Sequence, residues 1–158
     1  MKSIISKISI FIFILLSNSV FAHTSHYQNF KKIEMEIFKD GKVIGFNNYF
    51  FEKKKNLIIV KNKIEFKVYL LGIEVFNLEG HGIEIHKDGK LISYESKTLQ
   101  NDRDKFVNLI YDSQSDKFKI NGSSYVGLAD TKNIIGNWWN HQILQAESQI
   151  SPISGSIK

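Results

Sequence analysis

The chain of 158 residues contains no cysteine. That excludes disulfides, thiolate catalysis and Cys-ligated zinc or iron–sulfur sites. Its only arginine is Arg103, so the net charge of +5 rests on lysine. Specific nucleic-acid binders lean on Arg forks for base and phosphate contacts, so nucleic acid is not expected as a partner. The longest apolar run, Ile8 to Leu16 with Ser9 inside it, is too short to span a bilayer. Helix signals are few. The segment Gly122-Ser123-Ser124-Tyr125-Val126 is not the Gly-x-Ser-x-Gly elbow of a serine hydrolase. No acid–base pair stands out elsewhere. No catalytic residue, cofactor or metal is assigned on these grounds.

What the sequence does contain is turn chemistry. Ile83 to Tyr94 reads as a β-hairpin closed by Asp88-Gly89, two residues that tolerate the positive φ a type I′ turn demands. Pairing about that turn sets Lys87 against Lys90, Ile85 against Ile92 and Ile83 against Tyr94. That leaves Glu84, His86, Ser93 and Glu95 on the polar face. Phe38 to Phe46 repeats the unit about Asp40-Gly41, with Ile37 facing Ile44 and Met35 facing Phe46.

Along the chain, Leu57 to Leu71 alternates cleanly, with Ile64, Phe66, Val68 and Leu70 on one side. The next strand, Ile73 to His86, changes parity around Gly80-His81-Gly82, which predicts a bulge or bend there. Leu91 to Leu99, Phe106 to Tyr111 and Lys117 to Ile120 follow as strands. Asp112-Ser113-Gln114-Ser115-Asp116 has part of the spacing of a calcium loop, but it lacks the glycine and closing glutamate, and a hairpin turn explains it better. The expected fold is mainly β: a curved antiparallel meander, an open or half barrel, with a short helical or loop plug. As a helix the plug would be capped by Asp130 or Thr131, with Ile134, Ile135, Trp138 and Trp139 as its apolar face; Gly136 counts against the helix and leaves the loop as the alternative. Ile143 to Ile150 reads as a further strand. The closing residues 153–158 neither finish a strand nor form a solvating tail, so the chain reads as cut short.

The N-terminus has the order of a secretory signal. Lys2 and Lys7 flank the start of an apolar run, and Val20-Phe21-Ala22 supplies a small-residue cleavage site. Residues 1–22 are expected to be removed, leaving 23–158 as a single antiparallel β domain that lacks its closing C-terminal strands. The expected location is the periplasm or the exterior, with no integral membrane span after cleavage.

Three segments carry a family resemblance. They are Phe38-Lys39-Asp40-Gly41-Lys42-Val43-Ile44-Gly45, Gly122-Ser123-Ser124-Tyr125, and Ile135-Gly136-Asn137-Trp138-Trp139-Asn140-His141, followed later by Gly155. Together they resemble a domain-of-unknown-function family of exported Gram-negative bacterial proteins. The resemblance covers most of the mature chain. It implies a curved antiparallel sheet, distantly like the open half-barrels that carry lipoproteins in the periplasm. It implies no catalytic residues.

Two functions follow as expectations. The first is a binding or carrier module for a lipid-like or amphipathic envelope molecule. Its inward face would present Phe46, Phe66, Val68, Ile85, Ile92 and Tyr94, with Trp138 or Trp139 at the mouth. Trp138, Trp139, Phe66 and Tyr94 are its ligand-binding candidates. The second is a structural or interaction protein of the envelope, in which the tryptophan pair merely plugs the sheet. Behind both stand an enzyme and a copper site at an amino-terminal His23, with His26 as a further ligand.

Overall fold

The computed structural model describes residue 27 and residues 29–158. The expected signal segment and cleavage site, and the histidines at 23 and 26, lie outside the described residues. Among those described, no helix is long and apolar enough to cross a membrane.

Eight strands form one antiparallel meander, each paired with its neighbours in sequence. They are β1 Lys32–Lys39, β2 Lys42–Lys54, β3 Leu57–Leu70, β4 Ile73–Lys87, β5 Lys90–Gln100, β6 Arg103–Asp112, β7 Lys117–Gly122 and β8 Val126–Asp130. The sheet is open, with β1 and β8 as its edges. The expected mainly β meander is what the chain forms.

Both Asp-Gly pairs close two-residue turns with positive φ: 51° and 74° at Asp40 and Gly41, 49° and 79° at Asp88 and Gly89. Lys39 pairs with Lys42, and Lys87 with Lys90, as the turn chemistry predicts. Beyond those pairs the expected register fails. A bulge sits between Ile37 and Phe38 against β2, and another between Ile85 and His86 against β5. Ile37 therefore meets Gly45, and Met35 meets Asn47. Ile85 meets Ser93, and Glu84 meets Tyr94. Ile44 and Ile92 are the extra residues.

Directly paired residues share a face of a sheet. The shift by one therefore moves Phe46, Ile83 and Ile85 to the outer face and brings Glu84 and His86 inward. Phe46 pairs with Glu36 and Glu65, and the Lys63 ammonium lies 5.4 Å from its ring centroid. Of the expected inward set, Phe66, Val68 and Tyr94 keep their place. No bulge occurs at Gly80-His81-Gly82, because β4 pairs there without interruption against both β3 and β5. The inward positions run on as Leu78, Gly80, Gly82, Glu84 and His86, all buried. The glycines are there for space: a Cβ at Gly80 would stand 2.8 Å from Thr98 Oγ1, and one at Gly82 would stand 2.9 Å from the Tyr94 hydroxyl.

The segment after β8 covers this inner face. It does not form the expected helix. Ile134–Ile135 (β9) and Gln149–Ile150 (β10) make a short parallel pair, which is all that remains of the strand expected over 143–150. Between them lies a 3₁₀ turn, His141–Leu144, whose N-cap Asn140 accepts from the Gln142 N–H. Asn137 and the Trp138 N–H instead bond Glu84 and Tyr49 of the sheet. The final residues also pair. Gln149 and Lys158 exchange backbone hydrogen bonds of 2.8 and 2.9 Å, and Ile150 bridges Ile157. Ser154 and Gly155 are buried against Gly122, where any Cβ would stand 2.5 Å from the Ser154 carbonyl.

Two apolar clusters result. Tyr94, Val107, Leu109, Phe118 and Ile120 pack with Ile135 and Ile150. Tyr49 and Val60 pack with Trp139, backed by Tyr27 and Phe51.

Candidate functional site

The inner face is organised by Glu84, a carboxylate only 4% exposed. Its Oε1 accepts from Asn137 Nδ2 at 2.5 Å and from Trp139 Nε1 at 2.8 Å. Its Oε2 lies 2.8 Å from His86 Nε2. Strand alternation puts Glu84 and His86 on one side, and the turn after β9 brings its own side chains across to meet them. Three donors on one carboxylate answer its loss of water. Trp139 is 2% exposed and packs in T-shaped contacts with the rings of His86, Tyr27 and Phe51. Among the described residues, His86 Nδ1 has no hydrogen-bond partner.

Beside this hub lie two buried phenols. The Tyr49 hydroxyl accepts from Asn47 Nδ2 at 2.9 Å and from the Trp138 backbone N–H at 3.1 Å. Burial pushes its pKa up to about 12, against the opposing pull of those bonds. The Tyr94 hydroxyl donates to the Pro152 carbonyl at 3.0 Å, a carbonyl that Ser96 Oγ also reaches at 2.7 Å. Burial raises the Tyr94 pKa too, with the Glu84 charge adding to it.

Between the sheet and the covering segment is a cavity of about 720 Å³. Its apolar wall includes Ile64, Phe66, Phe76 and Leu78 on β3 and β4, with Met35 and Ile37 from β1. Its polar lining comes from Asn47, Asn62, Ser96, Thr98 and Gln100, and Trp138, Pro152 and Ile153 border it from the covering segment. The mixture follows from the register. One inward row reads Ile37, Gly45, Phe66, Leu78, Gln100, and the next Met35, Asn47, Ile64, Gly80, Thr98. Over Gly80 and Gly82, which carry no side chain, lie Thr98 and Tyr94 from β5.

Of the four residues singled out in the sequence, Phe66, Tyr94 and Trp138 line this cavity together. Trp139 does not; it is packed in the Glu84 hub. The two are the central residues of a turn closed by the Asn140 N–H on the Asn137 carbonyl, and the pair splits, with Trp139 buried and Trp138 69% exposed. Sequence reasoning missed Glu84, His86, Thr98 and Gln100. Only their shared parity with Gly80 and Gly82 could have signalled them, and the unseen bulge hid it.

The remaining sequence features fall elsewhere. Glu79 and His81 are exposed on the outer face. Asp112 sits at the β6–β7 turn, where Lys119, Ser115 and the Gln114 N–H hold its carboxyl down to about 2. Among the described residues no group of three His, Cys, Asp or Glu side chains is arranged to hold a metal.

Comparison with known proteins gives one family match. A family model described as a domain of unknown function (DUF6134) matches residues 35–158. No curated protein and no solved structure matches the chain.

Proposed function

The chain belongs to the DUF6134 family, a domain of unknown function, and on that footing we propose that it is an exported binding module for an amphipathic, lipid-like envelope molecule. The cavity carries this reading. Small-molecule sites are typically clefts of roughly 300–1,000 Å³, mostly apolar with a few placed polar groups. At about 720 Å³, with Ile64, Phe66, Phe76 and Leu78 on one side and amides and hydroxyls on another, this one has that size and character. Trp138, bound to the sheet through its backbone but with its indole exposed, supplies an aromatic surface at the border. The export half of the proposal rests on the charged, apolar and small-residue order of residues 1–22.

The test is titration of delipidated protein with the neutral fluorescent probe N-phenylnaphthylamine. Saturable binding, weakened severalfold in Trp138→Ala at unchanged thermal stability, is the expected result. Absence of saturable binding by the wild type rejects the reading. For export, intact-mass measurement of protein from the periplasm should find His23 first; a periplasmic species retaining Lys2 rejects that half.

A second reading, an interaction module of the envelope, draws on a different observation. The β3–β4 hairpin tip exposes Tyr69, Leu70, Leu71, Ile73 and Val75 together. An apolar patch of that kind marks contact surfaces more often than accident.

A further inference from the structure

We propose that the cavity selects a neutral amphiphile, one whose polar head carries hydroxyl or amide groups and no charge. The inference rests on the binding reading above and specifies what is bound.

Apart from Glu36 and His81, the polar residues that line the cavity carry carboxamides, hydroxyls or the Trp138 indole. Glu36 and His81 also border it, but the register turns both to the outer face, Glu36 beside Phe46 and His81 beside Lys63 and Lys97. Two cations do lie on the inner face of β6, Arg103 opposite Gln100 and Lys105 opposite Thr98, and neither lines the cavity. A carboxylate or phosphate brought inside would lose its water and meet chiefly the neutral dipoles of the lining, which do not repay the desolvation of an ion. An uncharged head loses far less, and the same dipoles suffice for it.

Part of the polar lining is already committed. Asn47 donates to Tyr49 and accepts from Asn62, and Ser96 donates to Pro152. Thr98 and Gln100 are different. Neither side chain makes a hydrogen bond to another described residue. Thr98 is only 6% exposed, yet its hydroxyl is not among the buried atoms lacking a partner, so what access it has is to the cavity. The two stand on one face of β5, two residues apart, with Leu78 directly opposite Gln100 and bare Gly80 opposite Thr98. A hydroxyl and a carboxamide each donate and accept. They therefore match a head such as a glycerol or an acyl amide. The chain of such a molecule would run along Leu78, Phe66 and Phe76, where the Phe66 and Phe76 rings stack at 5.5 Å.

The experiment uses three ligands of one chain length below their micellar concentrations at neutral pH: monolaurin, laurate and dodecyl phosphate. Each is titrated against N-phenylnaphthylamine bound to the full exported protein. Monolaurin should displace the probe at least about tenfold more effectively than either anion. In the double variant Thr98→Val with Gln100→Leu, which keeps shape and apolar wall, that preference, measured relative to the variant's own probe affinity, should shrink by about tenfold. Probe binding with equal or stronger displacement by laurate or dodecyl phosphate overturns the neutral-head inference and leaves the binding reading standing. An unchanged monolaurin preference in the folded double variant overturns the assignment of Thr98 and Gln100. Failure of the wild type to bind the probe at all rejects the binding reading itself, and this inference with it.

Discussion

Leu71 is the residue least suited to its place. Among the described residues, seven non-glycine residues adopt positive φ, and five of them are Asp or Asn, whose short polar side chains tolerate the left-handed region. Leu71, at φ 51°, has no such compensation and is 96% exposed. Leu71→Asn should therefore stabilise the protein by about 1 kcal/mol, the usual difference between these residue types in that region. A lower denaturant midpoint for the variant would show that Leu71 has a stabilising contact. Tyr49 gives a second prediction at this scale. Burial raises its pKa from 10.0 to about 12, so the folded state favours the neutral phenol. The resulting stabilisation is complete below pH 10 and is lost as pH climbs through 12. Stability should fall across that window, and Tyr49→Phe should flatten the fall. If spectroscopic titration finds every phenol of the native protein ionising together near 10.0, the packing around Tyr49 is looser than described.

At the scale of the element, the hairpins divide into what the sequence disclosed and what it hid. Gly41 and Gly89 close type I′ turns at φ 74° and 79°, and nothing lies within 4 Å of a Cβ at Gly41. A β-branched side chain at Gly41 therefore suffers from backbone conformation alone, at about 1–3 kcal/mol. Gly41→Val and Gly89→Val should lower the denaturant midpoint to a similar degree, whereas Gly41→Asn should cost little. The turns were legible because Asp-Gly has few other uses between alternating strands. The faces beyond them were not. A bulge adds one residue without altering composition, and with side-chain period two it inverts every position after it. Ile44 and Ile92 absorb that extra residue in the two hairpins alike. Glu84 and His86 looked solvent-facing because their neighbours Ile83 and Ile85 are aliphatic. Burying them is tolerable only because Asn137 and Trp139, more than fifty residues later, bring the donors. No local pattern announces a partner that distant. The helix expected over 130–139 failed for the same reason: its apolar spacing was real, but the segment's polar atoms were claimed by the sheet.

The whole molecule is a meander held to its C-terminal covering segment, and Glu84 is the main polar tie between them. Backbone pairing alone orders the sheet from β1 to β8, but the cavity exists only while residues 134–157 lie across the inner face. Removing the carboxylate should therefore act on the covering segment first. In Glu84→Leu the Asn137 amide, the Trp139 N–H and His86 lose their shared acceptor inside a packed region. Stranding three donors, and breaking a buried tie by one partner only, should cost about 3–5 kcal/mol. Glu84→Gln is milder. Its carbonyl can still accept from Asn137 and Trp139, while its NH₂ meets His86 Nε2, which the imidazole answers by shifting its proton to Nδ1. That relocation leaves a donor at the ring nitrogen that has no partner among the described residues. The cost should fall nearer about 1–3 kcal/mol, the penalty for one unsatisfied buried group. Trp139→Ala should resemble the Leu variant at about 3–5 kcal/mol, as a large core deletion, and Trp138→Ala should stay within about 0.5 kcal/mol. Two readouts separate a loosened cover from general weakening. Hydrogen exchange of the Trp139 indole N–H should accelerate in Glu84→Gln more than exchange of the β6 and β7 amides, which sit in the opposite half of the sheet. Affinity for N-phenylnaphthylamine should fall in parallel with the indole's loss of protection. If indole and strand amides instead accelerate equally, the covering segment and the sheet open as one unit, and Glu84 stabilises the fold without holding the cavity closed.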